Sequence, residues 1–328
     1  MQMRLALGES SCNMHCSYCR AMHNVPRNFQ PPKDKLNKAK IIAKIEPVKH
    51  QIERVGIWGG EPLLDFNRFQ EAVELIKEVL TDKPIHVVTN GTMLKFDHIV
   101  DYILANNIRL TISHDAYNQH LRGSDFLHDP DYLDNLSRLH SLNLHSVLHR
   151  HNLDLPKIEE YYRELAVQYG WEIFWGHEMY KVVSSESYRY ACKGNDFAKL
   201  RSGLDYAVTE MVNGNPFFAS FNNLLRQVLS RLNDHKSYRC GMNNNFIINH
   251  KGERLLCQVQ SETNEKIQYG LGQVPARCGE CPVTVICRGY CPLIPDEYRR
   301  LNCAYSIAYY DQIIKTAMRI GGEADADN

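Results

Sequence analysis

The sequence has no surplus of charge of either sign, no long apolar run and no repeat. Its 328 residues carry 38 Lys plus Arg against 38 Asp plus Glu, so the chain lacks the field that holds nucleic acid or an anionic membrane surface. No apolar stretch approaches the roughly 20 residues needed to cross a bilayer. The opening segment, MQMRLALGESSC, is too short and too polar for the apolar centre of a signal peptide. These absences imply a cytoplasmic chain with neither nucleic acid nor membrane as partner. Low-complexity segments are missing too. With 44% hydrophobic and 23% charged residues the composition is that of a folded protein with a sizeable core. At this length one full α/β domain plus a smaller appended one is expected.

Cysteine is not scarce. There are eleven, and in a cytoplasmic chain reducing thiol pools argue against a disulfide framework, as does the odd count. Metal ligation is the better reading, because they cluster. Three lie at residues 12–19, one at 192 and seven between 240 and 303, which predicts one site towards each end.

Over residues 1–178 short β-rich runs alternate with amphipathic helical spacing, the pattern of a parallel sheet with crossover helices. Six strands are predicted, at Arg4–Leu7, Arg54–Trp58, Ile85–Thr89, Arg109–Ser113, Leu144–His149 and Trp171–Phe174. Residues 179–239 read as a helical bridge. Residues 240–320 are dense in Cys, Gly and Pro, as expected where metal ligation replaces a hydrophobic core. They nevertheless contain a hairpin over Asn245–Cys257 and a closing helix over Cys303–Ile320. Residues 321–328 form an acidic tail expected to fray.

Cys12-Asn-Met-His-Cys16-Ser-Tyr-Cys19 is a CxxxCxxC triplet just after the first strand. Three thiolates can hold three irons of a [4Fe–4S] cluster and leave the fourth open to a small ligand. Zinc, or three unrelated cysteines, is the bland alternative. The triplet does not stand alone. Trp58-Gly59-Gly60-Glu61-Pro62 follows the second strand, where glycines permit close backbone approach to a ligand and a carboxylate can accept from an ammonium. Thr89-Asn90-Gly91-Thr92 closes the third strand. Ser113-His114-Asp115 closes the fourth, with Arg122 soon after.

In this order the four segments resemble the radical S-adenosylmethionine (radical SAM) superfamily. The resemblance covers roughly the first half of the chain and implies an α/β fold, a partial (β/α)6 barrel. It implies that Cys12, Cys16 and Cys19 hold a [4Fe–4S] cluster whose open iron binds S-adenosylmethionine. Gly59, Gly60, Glu61, Pro62, Asn90, Ser113, Asp115 and Arg122 would then contact that cofactor. It also implies reductive cleavage to a 5′-deoxyadenosyl radical, with an external electron donor such as flavodoxin or ferredoxin.

The second cysteine set runs Cys240, Gly252-x4-Cys257, then Cys278-x2-Cys281-x5-Cys287-x3-Cys291, then Cys303. This order resembles the SPASM extension of the superfamily, which carries two auxiliary [4Fe–4S] clusters and would bring the total to three. Transferred by position, the pattern assigns Cys278, Cys281, Cys287 and Cys303 to the outer cluster. Cys240, Cys257 and Cys291 would hold the inner one, with its fourth ligand open. A zinc ribbon is the alternative, but seven ligands divide poorly into four-cysteine sites.

Most enzymes of this kind modify peptides or proteins, so a ribosomally made peptide is the leading substrate class, with crosslinking, oxidation or epimerisation as outcome. Sulfatase maturation fits less well, because Gln258 stands where those enzymes carry an Asp. The triplet begins at residue 12, so leader recognition is expected to need the barrel mouth, the bridge or a separate leader-binding protein. Rival readings are radical modification of a small metabolite and a non-enzymatic zinc or iron–sulfur scaffold.

Cys192 belongs to neither motif and is either an inert buried thiol or a hydrogen-atom donor. His149 and His151 are expected on one strand face by period two. Trp175, His177 and Glu178 are candidate pocket residues, and Tyr309 and Tyr310 are packing residues.

Overall fold

The computed structural model describes residues 1–8, 11–16, 18–19, 34–233, 245–255, 278–287, 294 and 296–326. Strands and helices alternate along the chain in a mostly parallel α/β fold, as expected of a partial (β/α)6 barrel. Strand β1 (Gln2–Ala6) is followed by α1 (Lys38–Ile45), β2 (Arg54–Trp58), α2 (Phe66–Val79), β3 (Ile85–Thr89), α3 (Asp97–Ala105) and β4 (Arg109–Ser113). Then come α4 (Pro130–Arg138), β5 (Ser141–Leu148), α5 (Leu155–Tyr169) and β6 (Glu172–Met179). The remainder is α6 (Asp196–Val212), α7 (Ala219–Asn233), the hairpin β7 (Asn245–Asn249) and β8 (Arg254–Leu255), the single turn α8 (Thr284–Cys287) and α9 (Asp296–Ala326). The helix starts are written in the sequence. Side chains of Asn37, Asp65 and Asp154 accept from the amides of Lys40, Arg68 and Lys157, satisfying donors that a first turn leaves open.

The chain divides into two compact units, the first comprising residues 1–114, 119–143 and 241–266, the second residues 115–118, 144–240 and 267–328. This partition differs from the expected breaks at 178 and 239, because both units draw on the barrel half and on the C-terminal region. In the first unit the strands take the order β4-β3-β2-β1-β7-β8. Pairing β1–β2, β2–β3 and β3–β4 is parallel. Strand β7, expected in a separate domain, instead runs parallel to β1 from Gln2↔Asn245 to Ala6↔Asn249. It thereby pairs what would otherwise be an open edge of β1.

Alternation along these strands separates two faces. Met3, Leu5, Val55, Ile57, Val87 and Ile112 are buried on one side and form the core of this unit, each contributing about 1.5–3 kcal/mol. The opposite face carries Gln2, Arg4, Trp58, His86 and Thr111, with the Arg4 guanidinium 5.0 Å over the Trp58 ring and His86 Nε2 2.8 Å from Thr111 Oγ1. Barrel interiors are ordinarily packed with branched apolar residues. This polar layer has the chemistry of a binding surface.

The second unit is mostly helical around β6 and the last five residues of β5, and it holds α9, which packs along α6. Helix α9 is longer than the predicted Cys303–Ile320 and continues to Ala326, through residues 321–326 that were expected to fray. Glu323, Ala324 and Ala326 are good helix formers.

Candidate active site

The three cysteines of the triplet lie in the loop after β1, and Cys12, Cys16 and Cys19 are half-buried. The loop is tied to the ends of the two neighbouring strands. Leu7 donates to Trp58 O at 2.9 Å, and Glu61 N donates to Ser11 O at 2.6 Å. Asn90 Nδ2, at the end of β3, donates to Asn13 Oδ1 at 2.9 Å and reaches Cys12 Sγ at 3.6 Å, while Asn13 Nδ2 donates to Thr92 Oγ1 at 2.8 Å. Met14 N also donates to Cys12 Sγ, at 3.4 Å.

Gly60 makes the junction with the cysteine loop. Its φ is +48°, and a Cβ there would fall 2.1 Å from Ser11 O and 2.7 Å from Ser11 C. Only glycine fits both the left-handed backbone and the close approach.

Glu61 is buried at 3% exposure, and its carboxylate is largely spoken for by the chain itself. Oε1 accepts from Thr89 Oγ1 at 2.6 Å and Leu63 N at 3.1 Å, and Oε2 accepts from Asn90 N at 2.6 Å. It thus couples the ends of β2 and β3. Burial pushes its pKa up to about 7, against the hydrogen bonds and the charge of Arg122, which pull it down. A raised carboxylate pKa means that the folded apo chain keeps a proton that the unfolded chain releases near 4.5. Apo stability should therefore fall as pH rises between these two values, by about 3 kcal/mol at most, and level off above. Thermal melts of metal-free protein across this window check it, with Glu61→Gln showing no such slope.

Arg122 closes the other side of the loop. Its Nη1 donates to Tyr18 OH at 3.4 Å, its guanidinium lies 5.9 Å over the Tyr18 ring, and its carbonyl stands 4.0 Å from Cys16 Sγ. Tyr18 is buried. Ser113 is the half-buried last residue of β4.

Asp115 belongs to the second unit, fully buried, where Oδ1 accepts from Val147 N at 2.9 Å and Oδ2 lies 3.8 Å from His149 Nε2. Its described partners are therefore those of β5 and the turn beyond. His149 and His151 do not share a strand face as predicted, because β5 stops at Leu148 and both follow in a turn. His149 is buried and His151 exposed, with ring centroids 5.9 Å apart. Cys192 is 4% exposed, and burial pushes its thiol up to about 12.

Sequence reasoning missed the partners of two histidines. His114 Nε2 lies 3.0 Å from Asp125 Oδ1, and nothing but its place beside Asp115 could have signalled it. His177 was singled out as a pocket residue, but it is half-buried and hydrogen-bonds Tyr309 OH through Nε2, with desolvation holding its pKa down to about 3.

Of the second set, Cys278, Cys281, Cys287 and Cys303 are half-buried. Cys281 N donates to Cys278 O at 3.1 Å and Cys287 N to Val283 O at 2.8 Å, which folds the first three onto one short turn and helix. Cys240, Cys257 and Cys291, with Gln258, lie outside the described residues. Among the described residues no three His, Cys, Asp or Glu side chains converge on a single metal ion, and no helix is long and apolar enough to cross a membrane.

A mostly parallel α/β fold with three thiols in the loop after its first strand, clamped by glycines and a buried glutamate after the second, defines a class. Residues 10–166 match the radical SAM superfamily, and the chain belongs to that superfamily. It resembles FeMo cofactor biosynthesis protein NifB of Klebsiella pneumoniae, 29% identical over 114 residues, 31% of this chain and 24% of that protein. It also resembles the S-adenosylmethionine-dependent nucleotide dehydratase of Fibrobacter sp. (strain UWH6), 30% identical over 91 residues, 26% of each. The chain thus spans no more than 26% of the length of these curated relatives.

Among solved structures, native anSMEcpe with bound AdoMet is similar over 99% of both chains, with TM-score 0.68 and 17% identity. The same protein with bound AdoMet and the Cp18Cys peptide is similar over 100% of this chain and 99% of that one, with TM-score 0.64 and 17% identity. At such identity the likeness is one of fold.

A superfamily member holds S-adenosylmethionine and a [4Fe–4S] cluster, and the loop fits the cluster. Three thiols share it, two N–H donors already point at Cys12 Sγ, and Cys16 and Cys19 both contribute to raising the Cys12 pKa. Burial and those neighbours push Cys12 up to about 12, a state that iron charge would reverse.

Proposed function

We propose that this protein is a radical SAM enzyme with auxiliary iron–sulfur clusters in a SPASM-type C-terminal region, acting on a peptide or protein. The observation that carries the reading is the three-thiol loop bound to the ends of β2 and β3 through Ser11, Asn13, Glu61 and Asn90. When bound at the cluster, S-adenosylmethionine supplies a 5′-deoxyadenosyl radical. The chain contributes placement. Gly59, Gly60 and Pro62 shape the wall beside the cofactor, and Glu61 holds that wall to β3. Asn90 donates towards the sulfur of Cys12. Arg122 brings positive charge and, through Tyr18, braces the loop from the far side. Ser113 completes the contacts at the end of β4.

A peptide substrate is supported by the full-length likeness of fold to anSMEcpe, which has been solved with AdoMet and a peptide bound, and by the polar face of β1–β4. Cys278, Cys281, Cys287 and Cys303 would hold one auxiliary cluster, and Cys240, Cys257 and Cys291 the other. An external donor such as flavodoxin or ferredoxin supplies the electron, and the substrate is recognised by the barrel mouth, the bridge or a separate leader-binding protein. Anaerobic reconstitution tests the reading. About twelve irons per chain and release of 5′-deoxyadenosine with dithionite and S-adenosylmethionine are expected, whereas iron-loaded protein that never cleaves the cofactor would sink it. Co-expression with short neighbouring reading frames and mass spectrometry of their peptides then identifies the product.

Burial keeps the Cys192 thiol protonated, the state a hydrogen-atom donor needs and equally that of a packed core thiol. Cys192→Ala is expected to leave 5′-deoxyadenosine formation within about twofold of the parent. Loss of solvent deuterium from the peptide product in this variant alone would assign the thiol as donor in an epimerisation.

A further inference from the structure

Helix α9 of the second unit carries Cys303 and meets the ends of β5 and β6 through polar side chains where apolar packing would be ordinary. Asn302, Tyr305 and Tyr309 are spaced by three and four residues and so share one helix face. Each is buried, at 3%, 4% and 2% exposure. Asn302 makes a two-point clamp on the backbone of one residue: Val182 N donates to Oδ1 at 2.8 Å and Nδ2 donates to Val182 O at 2.9 Å. Tyr305 OH donates to the carbonyl of Leu148, the last residue of β5, at 2.8 Å. Tyr309 OH hydrogen-bonds His177 within β6. Farther along, Thr316 Oγ1 donates to Asp205 Oδ1 at 2.7 Å and Arg201 pairs with Asp311 at 2.9 Å, fastening the second half of the helix to α6.

Apolar contact is non-directional and tolerates sliding and rotation of a helix. Hydrogen bonds to fixed backbone groups do not, since they weaken steeply away from good distance and angle. Three of them on one face determine both the height and the rotation of α9. Asn302, the rung with two bonds to the backbone of a single residue, is the direct neighbour of Cys303.

We propose that Asn302 and Tyr305 are positioning residues for the outer auxiliary cluster, setting where Cys303 presents its thiolate. The inference rests on the SPASM-type reading of the C-terminal cysteines. A ligand displaced along or around the helix alters cluster retention and the surroundings of its sulfurs, and so its reduction potential. A residue that merely stabilised the fold would leave the potential of a loaded cluster alone.

The test uses the full chain, reconstituted anaerobically, in three variants. Tyr305→Phe keeps the ring and removes one hydroxyl, Asn302→Ala removes the clamp, and Cys303→Ala removes the ligand. The readouts are iron per chain, EPR spectra in redox titration, and circular dichroism of the apo form. For Tyr305→Phe we expect a shifted midpoint potential and altered EPR of one auxiliary cluster. For Asn302→Ala we expect loss of up to about a third of the iron. In both, the EPR signal that responds to S-adenosylmethionine should be unchanged. If Cys303→Ala loses iron while the other two variants keep parental iron, spectra and potential, the positioning role is overturned and the cluster reading stands. If Cys303→Ala itself loses no iron, the cluster reading fails and takes the positioning role with it. Should Asn302→Ala not fold by circular dichroism, Tyr305→Phe decides.

Discussion

Replacing Cys12, Cys16 and Cys19 together with Ala should abolish formation of 5′-deoxyadenosine, a loss of at least about 10⁴-fold, and remove about four of about twelve irons. The loss is all-or-none because the three thiols share one short loop and each holds its own iron, so the remaining groups cannot substitute. Asn13, Asn90 and Arg122 offer only N–H donors and amide oxygens to the loop, which are poor iron ligands. Global stability should change little, since all three side chains are half-exposed and substitutions at such sites usually fall within about 1 kcal/mol. Iron held by the C-terminal cysteines should persist, so the variant remains brown yet inert towards S-adenosylmethionine. Iron analysis, zinc analysis and chromatography of the nucleoside product check each part. Turnover by the triple variant, or zinc in the native loop, would remove the basis of the functional reading.

The barrel strands were legible where one face is buried and the alternation is clean. Val55 and Ile57, then Ile85 and Val87, set β2 and β3 to the residue. The ends of β5 and β6 were less so: β5 spans Ser141–Leu148 rather than Leu144–His149, and β6 runs from Glu172 to Met179, past the predicted Phe174, because Gly176, His177 and Glu178 break the apolar pattern while the strand continues. Strand β7 was read as part of a hairpin, and it is one, but its parallel pairing with β1 joins residues more than 240 positions apart and leaves no local trace. The site divides in the same way. Cysteine spacing and the Gly-Gly-Glu-Pro segment are local patterns and could be read directly. The closure of the Glu61 carboxylate by Thr89 and Asn90, the bond of Arg122 to Tyr18, and the clamp of Asn302 on Val182 each depend on a partner 28 or more residues away. Such bonds are satisfied by tertiary structure rather than by spacing.

The second large effect is expected from a single methyl group. Gly60→Ala places a Cβ 2.1 Å from Ser11 O and 2.9 Å from Gly8 O, both backbone atoms that cannot rotate away. At φ +48° an alanine also bears the left-handed strain of about 1–2 kcal/mol. The lowest-energy response is to push the Ser11 backbone aside, which breaks the 2.6 Å hydrogen bond from Glu61 N to Ser11 O and displaces Cys12, the next residue. A displacement of about 1 Å at a reacting centre can cost about 100-fold in rate, and we expect at least that loss in cofactor cleavage, with reduced iron in the N-terminal site. Gly170→Ala separates strain from collision. Gly170 also has positive φ, +70°, but a Cβ there would meet nothing within 4 Å. That variant should lose about 1 kcal/mol of stability and retain turnover. Equal behaviour of the two in thermal melts and nucleoside assays would mean that close packing of Gly60 on the cysteine loop does not position the cluster.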